Sequence, residues 1–511
     1  MASIREFYAG RSILVTGATG FIGKVLIEKL LRSCPKIDKL YILIRSKKGQ
    51  SPEERIKAIT DLPLFDKLKL EYPNAIGDKL RLINGDVTEL GMGLSKSDED
   101  LLIENVSVVF NGAASVRFDD TLKYAVLMNT RGTRELLNLV LKMKKIDVFL
   151  HISTTYCNVD HQVVDERLYP PHADWRKTIE IAENIDEHHL QVLTEKYIGA
   201  LPNTYTFSKS LAEHCVTDLC TGKIPAVVFR PSIVIATRND PVAGWLDNFN
   251  GPIGLLIASG KGILRTCCTN PDLKADYMPV DTCVRALLLA AWTKGTSKDP
   301  KEKLDVSFYN CSNNDLYPIT MKELIDMAKK HMWEVPLSTM LWYPGGGVTP
   351  YRLWYYLNVI FLHLLPAVVI DSILRLLNHK PLLVKIQRRI YIANIALHHF
   401  ITYQWSFPNY KLLALEERLL PEEAEDFGYD RYNFNVDDYF FNCMKYVPLY
   451  LLKEHDYNPE QAKRNLYRMY ILDRVVRILV LALIVWYCTC KVNLMGYLGT
   501  KLVDFYEAIL I

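Results

Sequence analysis

Tyr205 and Lys209 stand four residues apart in the run Tyr-Thr-Phe-Ser-Lys. If Thr204 to Cys220 forms a helix, that spacing puts both side chains on one face, before a common ligand. A phenol so placed can give or take a proton. An ammonium one turn away is expected to stabilise the phenolate and lower its ordinary pKa of about 10. Lys209 can also hold ribose hydroxyls. Upstream, Ser153 and Thr154 end the apolar run Val148 to Ile152. Their hydroxyls can stabilise an oxygen that gains negative charge, Thr154 being the favoured one. Cys157 and Cys215 have no activating histidine nearby in sequence, and His151 lies within the strand as a packed residue, so none of the three is assigned a role.

A second chemical signal lies near the N-terminus, in Thr16-Gly17-Ala18-Thr19-Gly20-Phe21-Ile22-Gly23. A glycine turn that opens a helix presents backbone N–H groups to a dinucleotide's pyrophosphate, so Thr16, Gly17, Thr19, Gly20, Phe21, Ile22 and Gly23 are expected at a cofactor. Gly17 permits the tight turn, Gly20 lets the backbone approach phosphate, and Gly23 lets the helix lie close to its strand. The GxxGxxG spacing is the form seen in short-chain reductases. Arg45, followed by Ser46, Lys47 and Lys48, stands where an acidic residue would meet an adenosine ribose. Cations there suit a 2′-phosphate, so NADPH is expected over NADH; the alternative is a solvated basic loop. Asp86 is expected at the adenine edge, and Ala113 against the middle of the cofactor. Arg230-Pro231 ends the strand after the catalytic helix. Pro231 sets that turn, and Arg230 either flanks the nicotinamide or makes a structural ion pair.

These groups need a scaffold that brings strand ends together. Short apolar runs at Ser12 to Thr16, Leu40 to Ile44, Leu80 to Ile83, Ser107 to Phe110, Val148 to Ile152, Ala226 to Phe229 and Val306 to Asn310 alternate with helical spacing. This predicts an α/β fold, a Rossmann-type doubly wound parallel sheet. Tyr343-Pro344-Gly345-Gly346-Gly347 breaks the periodicity. The expected division is a cofactor-binding and catalytic domain over 1–343, a mostly helical domain over 348–455, and a membrane-anchoring segment over 474–511.

The anchor rests on Ile478 to Cys490, an unbroken apolar run between Arg477 and Lys491. The run is short for a full span, so it crosses with its flanking cations snorkelling or dips in as a hairpin with Leu494 to Ile511; a buried helix is the bland alternative. Arg464, Arg468, Arg474 and Arg477 precede it and keep the enzyme on the cytosolic side. Leu353 to Leu377 is also apolar but interrupted by His363, Pro366 and Asp371, which favours a helix packed on the protein or lying at the interface. With 61 basic and 58 acidic residues, the chain has no global field for nucleic acid. Its 11 cysteines show neither a disulfide framework nor metal-ligand spacing.

Beyond these motifs the chain reads Val116-Arg117-Phe118, His151-Ile152-Ser153-Thr154, Arg230 to Val234, Gly244-Trp245-Leu246-Asp247-Asn248, Asn250-Gly251-Pro252, Gly260-Lys261-Gly262 and Pro279-Val280-Asp281. In these it resembles the alcohol-forming fatty acyl-CoA reductases, extended short-chain reductases with a helical C-terminal domain. The resemblance implies four-electron reduction of a long-chain acyl-CoA to a primary alcohol by two NADPH, with Thr154 and Tyr205 on the oxyanion and Lys209 supporting Tyr205. It also implies a membrane-associated enzyme facing the cytosol, at the endoplasmic reticulum or the peroxisome. An apolar tunnel walled by the C-terminal domain would retain the aldehyde, with Trp245 and Phe249 at its mouth or else in the core. Lys261 and Arg265 are candidates for CoA phosphates. Asn111-Gly112 and Thr155 depart from the family's usual residues, which touches substrate preference more than chemistry. An enzyme that stops at the aldehyde, or a membrane 3β-hydroxysteroid dehydrogenase using NAD, is the rival reading.

Overall fold

Seven parallel strands make one sheet in the computed structural model, which describes residues 3–45, 49–249, 252–313, 315–429, 434–490 and 501. They are β1 (Ser12–Thr16), β2 (Leu40–Ile44), β3 (Leu80–Asn84), β4 (Val106–Asn111), β5 (Val148–Ile152), β6 (Ala226–Pro231) and β7 (Val306–Cys311). Their spatial order is β7-β6-β5-β4-β1-β2-β3. Every run expected to be a strand is one. The order reverses between β1 and β4, and such a switch point opens a crevice at the carboxyl ends of the strands. Helix α1 (Phe21–Ser33) follows β1, and helix α2 (Thr204–Cys220) precedes β6.

Successive strand residues alternate between two cores. Ile13 and Val15 join Val108 and Phe110 on one face, while Leu14 joins Val109 and Phe149 on the other. Both faces being covered, β1, β2 and β4 are buried along their whole length, as parallel strands between helical layers must be.

The helical C-terminal region shares those cores. Leu412, Leu415 and Phe427 enter the first, and Trp405 and Phe407 the second. The Pro-Gly stretch leads into a short strand, Gly347–Thr349, paired in parallel with Thr266–Cys268. Glu166, 1% exposed, accepts backbone N–H groups from Asn310, Lys411 and Leu412 at 2.5 to 3.1 Å. Burial pushes its carboxyl up to about 7 against those hydrogen bonds.

Helix α3 (Arg352–Leu376) is long and apolar enough to cross a membrane, with a mean hydropathy of 2.1 over its most apolar window. It packs against α4 (Leu383–Thr402). The run Ile478 to Cys490 ends the 32-residue helix α5 (Pro459–Cys490), and its apolar side chains from Ile478 to Tyr487 are largely exposed. The hairpin alternative for the anchor falls mostly on 491–511, outside the described residues apart from Lys501.

Candidate active site

The glycine turn is built by close packing. Gly17 has φ +74°, and a Cβ there would lie 2.5 Å from the Gly112 carbonyl carbon. A Cβ on Gly23 would meet the Gly17 carbonyl oxygen at 2.3 Å. Thr16 ties this turn to its neighbour: its hydroxyl donates to Asn111 Oδ1 at 2.8 Å and accepts the Ala113 N–H at 3.2 Å. Gly20 caps α1 without a side chain, so the first N–H groups of the helix have no side-chain acceptor and face the crevice mouth. These features fit a dinucleotide pyrophosphate. At the far rim Arg45, half exposed, forms an ion pair with Asp86 at 3.2 Å, so the two residues expected at the adenosine end meet each other. Residues 46–48 lie outside the described set.

Helix α2 carries Tyr205, Lys209 and Glu213 one turn apart, on one face. Asn203 caps the helix by accepting the Thr206 N–H, which fixes where its first turn begins. Thr154, at the end of β5, accepts the Tyr156 N–H at 3.2 Å and hydrogen-bonds Tyr205. The Tyr205 phenol is held above its ordinary range by burial, which outweighs the Thr154 hydrogen bond. This reverses the expected lowering. Lys209, 2% exposed, donates its ammonium to the Ile152 carbonyl at 2.6 Å. Burial brings Lys209 itself down to about 8, with the nearby Glu213 opposing.

Glu213 is the residue the sequence reading missed. Its carboxylate accepts Arg230 through Nε and Nη2 at 2.8 and 2.6 Å, and the Ser153 hydroxyl at 2.5 Å. Burial pushes Glu213 up, and Arg230 more than reverses it. The signal was present in the third member of Tyr-x-x-x-Lys-x-x-x-Glu. Two assignments are corrected by this cluster. Arg230 is fully buried and gives its remaining donors to the Asp165 and Arg167 carbonyls, so it is a structural ion pair and does not flank a nicotinamide. Ser153 is committed to Glu213, which leaves Thr154 as the hydroxyl beside Tyr205. Pro231 closes β6 and is buried. His151 is buried, with Nδ1 3.0 Å from Asn111 Nδ2, and burial and Lys209 hold its imidazole neutral.

A cavity of ≈ 270 Å³ lies between the sheet domain and the C-terminal helices. Ile257, Leu324 and Met332 line it from the sheet domain, and Phe400, Val447 and Leu466 from the C-terminal helices. Aromatic packing links its wall to Tyr205. Phe400 lies on the cavity wall and packs against Phe118 at 5.0 Å between centroids, and Phe118 reaches Tyr205 at 6.0 Å. Tyr156, two residues from Thr154, also lines the cavity and contacts Phe400.

The residues expected at the tunnel mouth lie elsewhere. Trp245 is 1% exposed and stacks on Phe21 at 5.5 Å, so it backs the glycine-turn helix as a core residue. Phe249 is 54% exposed and does not line the cavity. Lys261 donates to Thr339 at 3.0 Å beside the cavity rim, and Arg265 is held by Asp473 at 3.1 Å.

Family models described as male sterility protein match residues 15–287, an NAD-binding unit, and residues 362–454. Fatty acyl-CoA reductase 1 of Xenopus laevis is 38% identical over 92% of this chain and 90% of its own length. Fatty acyl-CoA reductase 2 of Bos taurus is 36% identical over the same shares. Among solved structures, the terminal R domain from the myxalamid PKS-NRPS biosynthetic pathway superposes with a TM-score of 0.57 at 19% identity, over 88% of this chain and 93% of its own. The reductase domain of a nonribosomal peptide synthetase from Mycobacterium tuberculosis gives 0.57 at 18%, over 86% and 91%. At such identities the likeness establishes the fold alone.

Proposed function

The chain belongs to the fatty acyl-CoA reductase family, and from that premise we propose that it reduces a long-chain acyl-CoA to the primary alcohol with two NADPH, releasing CoA. The observation that carries this reading is the apolar cavity joined to Tyr205 through Phe400 and Phe118. When bound, NADPH supplies one hydride to each of two successive two-electron steps. The chain's own groups do the rest. Gly17, Gly20 and the open start of α1 hold the pyrophosphate, and Lys209 holds the ribose. Half-exposed Arg45 supports NADPH over NADH.

Thr154 and Tyr205 direct their hydroxyls at the substrate oxygen and stabilise its negative charge as the thioester carbonyl becomes tetrahedral. Collapse of that centre expels CoA thiolate and leaves an aldehyde. In the second step Tyr205 gives its proton to the aldehyde oxygen. Burial makes the phenol a weaker acid than free tyrosine, so it keeps its proton until the oxygen that has accepted hydride, a stronger base still, takes it. The apolar cavity holds the acyl chain between the two steps, so the aldehyde stays while the dinucleotide exchanges.

Exposed apolar side chains on α3 and α5 support membrane association, and the four arginines before Ile478 support a cytosolic catalytic domain. The endoplasmic reticulum and the peroxisome are the membranes this reading names. The deciding experiment incubates solubilised enzyme with palmitoyl-CoA or stearoyl-CoA and measures NADPH oxidised per CoA released. Two with alcohol supports the reading, whereas one with aldehyde makes it a half-reaction enzyme. Tyr205→Phe should abolish turnover and keep dinucleotide binding.

A further inference from the structure

Helices α3 and α4 form a hairpin whose polar residues are sorted by side. In α3, Tyr355, His363, Ala367 and Asp371 are buried, and their spacing in multiples of four makes one stripe turned to the protein. His363 Nε2 accepts the Arg265 backbone N–H at 2.8 Å. Asp371 accepts the N–H groups of Leu382, Leu383 and Val384 at 2.9 to 3.0 Å and so caps α4. The outward side is left with Trp354, Phe361, Leu365, Val369, Ile373 and Leu376, which are 49% to 82% exposed.

The charges are sorted too. Although the whole chain is nearly neutral, residues 350–402 hold six cations, Arg352, Arg375, Lys380, Lys385, Arg388 and Arg389, and a single acid. That acid is the buried Asp371, while all six cations are exposed and have no ion pair among the described residues. A protein partner of mixed charge would not call for this. A surface that is apolar beneath and negative on top would.

Length alone would let α3 cross a bilayer, but its attachment argues otherwise. His363 lies at the middle of the 25-residue helix and is bonded there to Arg265 in the enzyme body. A helix pinned at its midpoint lies along a membrane. Its partner α4 has Leu397, Phe400 and Ile401 on the cavity wall, which ties the other arm of the hairpin to the enzyme as well. The exposed aromatics Tyr351, Trp354, Tyr356 and Tyr403 suit the headgroup layer.

We propose that this hairpin is a docking surface for an anionic phospholipid bilayer, lying in the headgroup layer with its apolar side down and its six cations among lipid phosphates. It acts separately from the C-terminal run that begins at Ile478.

The test places p-benzoylphenylalanine at Phe361 in the full chain, and at Leu70 as a control that is exposed and apolar but remote in sequence. Each protein is irradiated with vesicles of phosphatidylcholine alone or with about 30% phosphatidylserine, and crosslinked lipid is read by mass spectrometry. Because the C-terminal run can hold the chain on either vesicle, the position of the crosslink isolates the hairpin. Lipid adducts at Phe361 should be about five-fold or more abundant with phosphatidylserine. The pair Arg388→Glu and Arg389→Glu should abolish that excess while turnover in detergent is kept. Adducts no greater than at Leu70, or equal in both vesicles, would overturn the proposal. Crosslinks to a second copy of the chain would overturn it as well, by naming a different occupant.

Discussion

Replacing Glu213 by Gln tests the cluster behind the catalytic face. Glu213 is 2% exposed and Arg230 0%, and they meet through two hydrogen bonds of 2.6 and 2.8 Å. Glu213→Gln keeps the shape and removes the charge, so the guanidinium is left buried without its counter-ion. Breaking one side of such a pair costs ~3–5 kcal/mol. For a urea slope of ~3 kcal/mol per molar or more in a chain of this size, the midpoint falls by about 1 M. The assay is urea unfolding followed by tryptophan fluorescence, with the slope checked for constancy. A second chain, Glu213→Leu with Arg230→Met, removes both charges and should regain at least about half the loss, because apolar pairs replace buried ion pairs at little cost. Dinucleotide affinity should be unchanged in the double variant once it is folded. A single-variant loss below ~1 kcal/mol, or a double variant no more stable than Glu213→Gln, would refute the pairing. Lost dinucleotide binding in a folded double variant would return Arg230 to the cofactor.

Three further outcomes follow from the site. Lys209 titrates at about 8, so its ammonium is lost as pH rises through that value, and kcat/KM should fall on the alkaline side; Lys209→Arg, whose charge persists, should remove that limb. The linked stability effect has the opposite sign: native Lys209 holds its proton less tightly than unfolded lysine, so stability rises with pH between about 8 and the ordinary 10.5. Gly17→Ala sets a Cβ 2.5 Å from Gly112 at positive φ and should weaken dinucleotide binding about ten-fold or more, measured by fluorescence titration. Val447→Trp fills part of the cavity. At ~0.8 kcal/mol per methylene displaced, loss of room for three methylenes lowers kcat/KM for stearoyl-CoA relative to a chain three carbons shorter by about 50-fold.

The sheet was legible in the sequence because each strand is a short apolar run between breakers, and a strand buried on both faces needs little more. The glycine turn and the Tyr205–Lys209 pair were legible for a related reason, since each depends on local spacing. Arg230 was not, because its partner sits on a different element and only the fold brings Glu213 to it. For Trp245 only the two alternatives were legible, because an aromatic in a loop is equally suited to a cavity mouth and to a core, and the fold chooses the core. The direction of the Tyr205 pKa shift was not legible, as complete burial of the phenol leaves no trace in residue types. In α3, His363 and Asp371 looked like interruptions, yet their spacing is that of one helical stripe.

Glu166 bears on how this enzyme could be rearranged. Its carboxylate belongs to the sheet domain, but two of its three backbone donors are Lys411 and Leu412, far along the chain. Trp405 donates to the Val159 carbonyl and Asn310 to the Pro408 carbonyl across the same seam. A chain cut near the Pro-Gly stretch would keep every motif of a dinucleotide reductase and still strand a buried acid and two cores without their outer layer. The reductase is therefore no cassette to be fused elsewhere by its first 343 residues. Shuffling between relatives should exchange the sheet and its helical cover together, or divide the chain where nothing is shared.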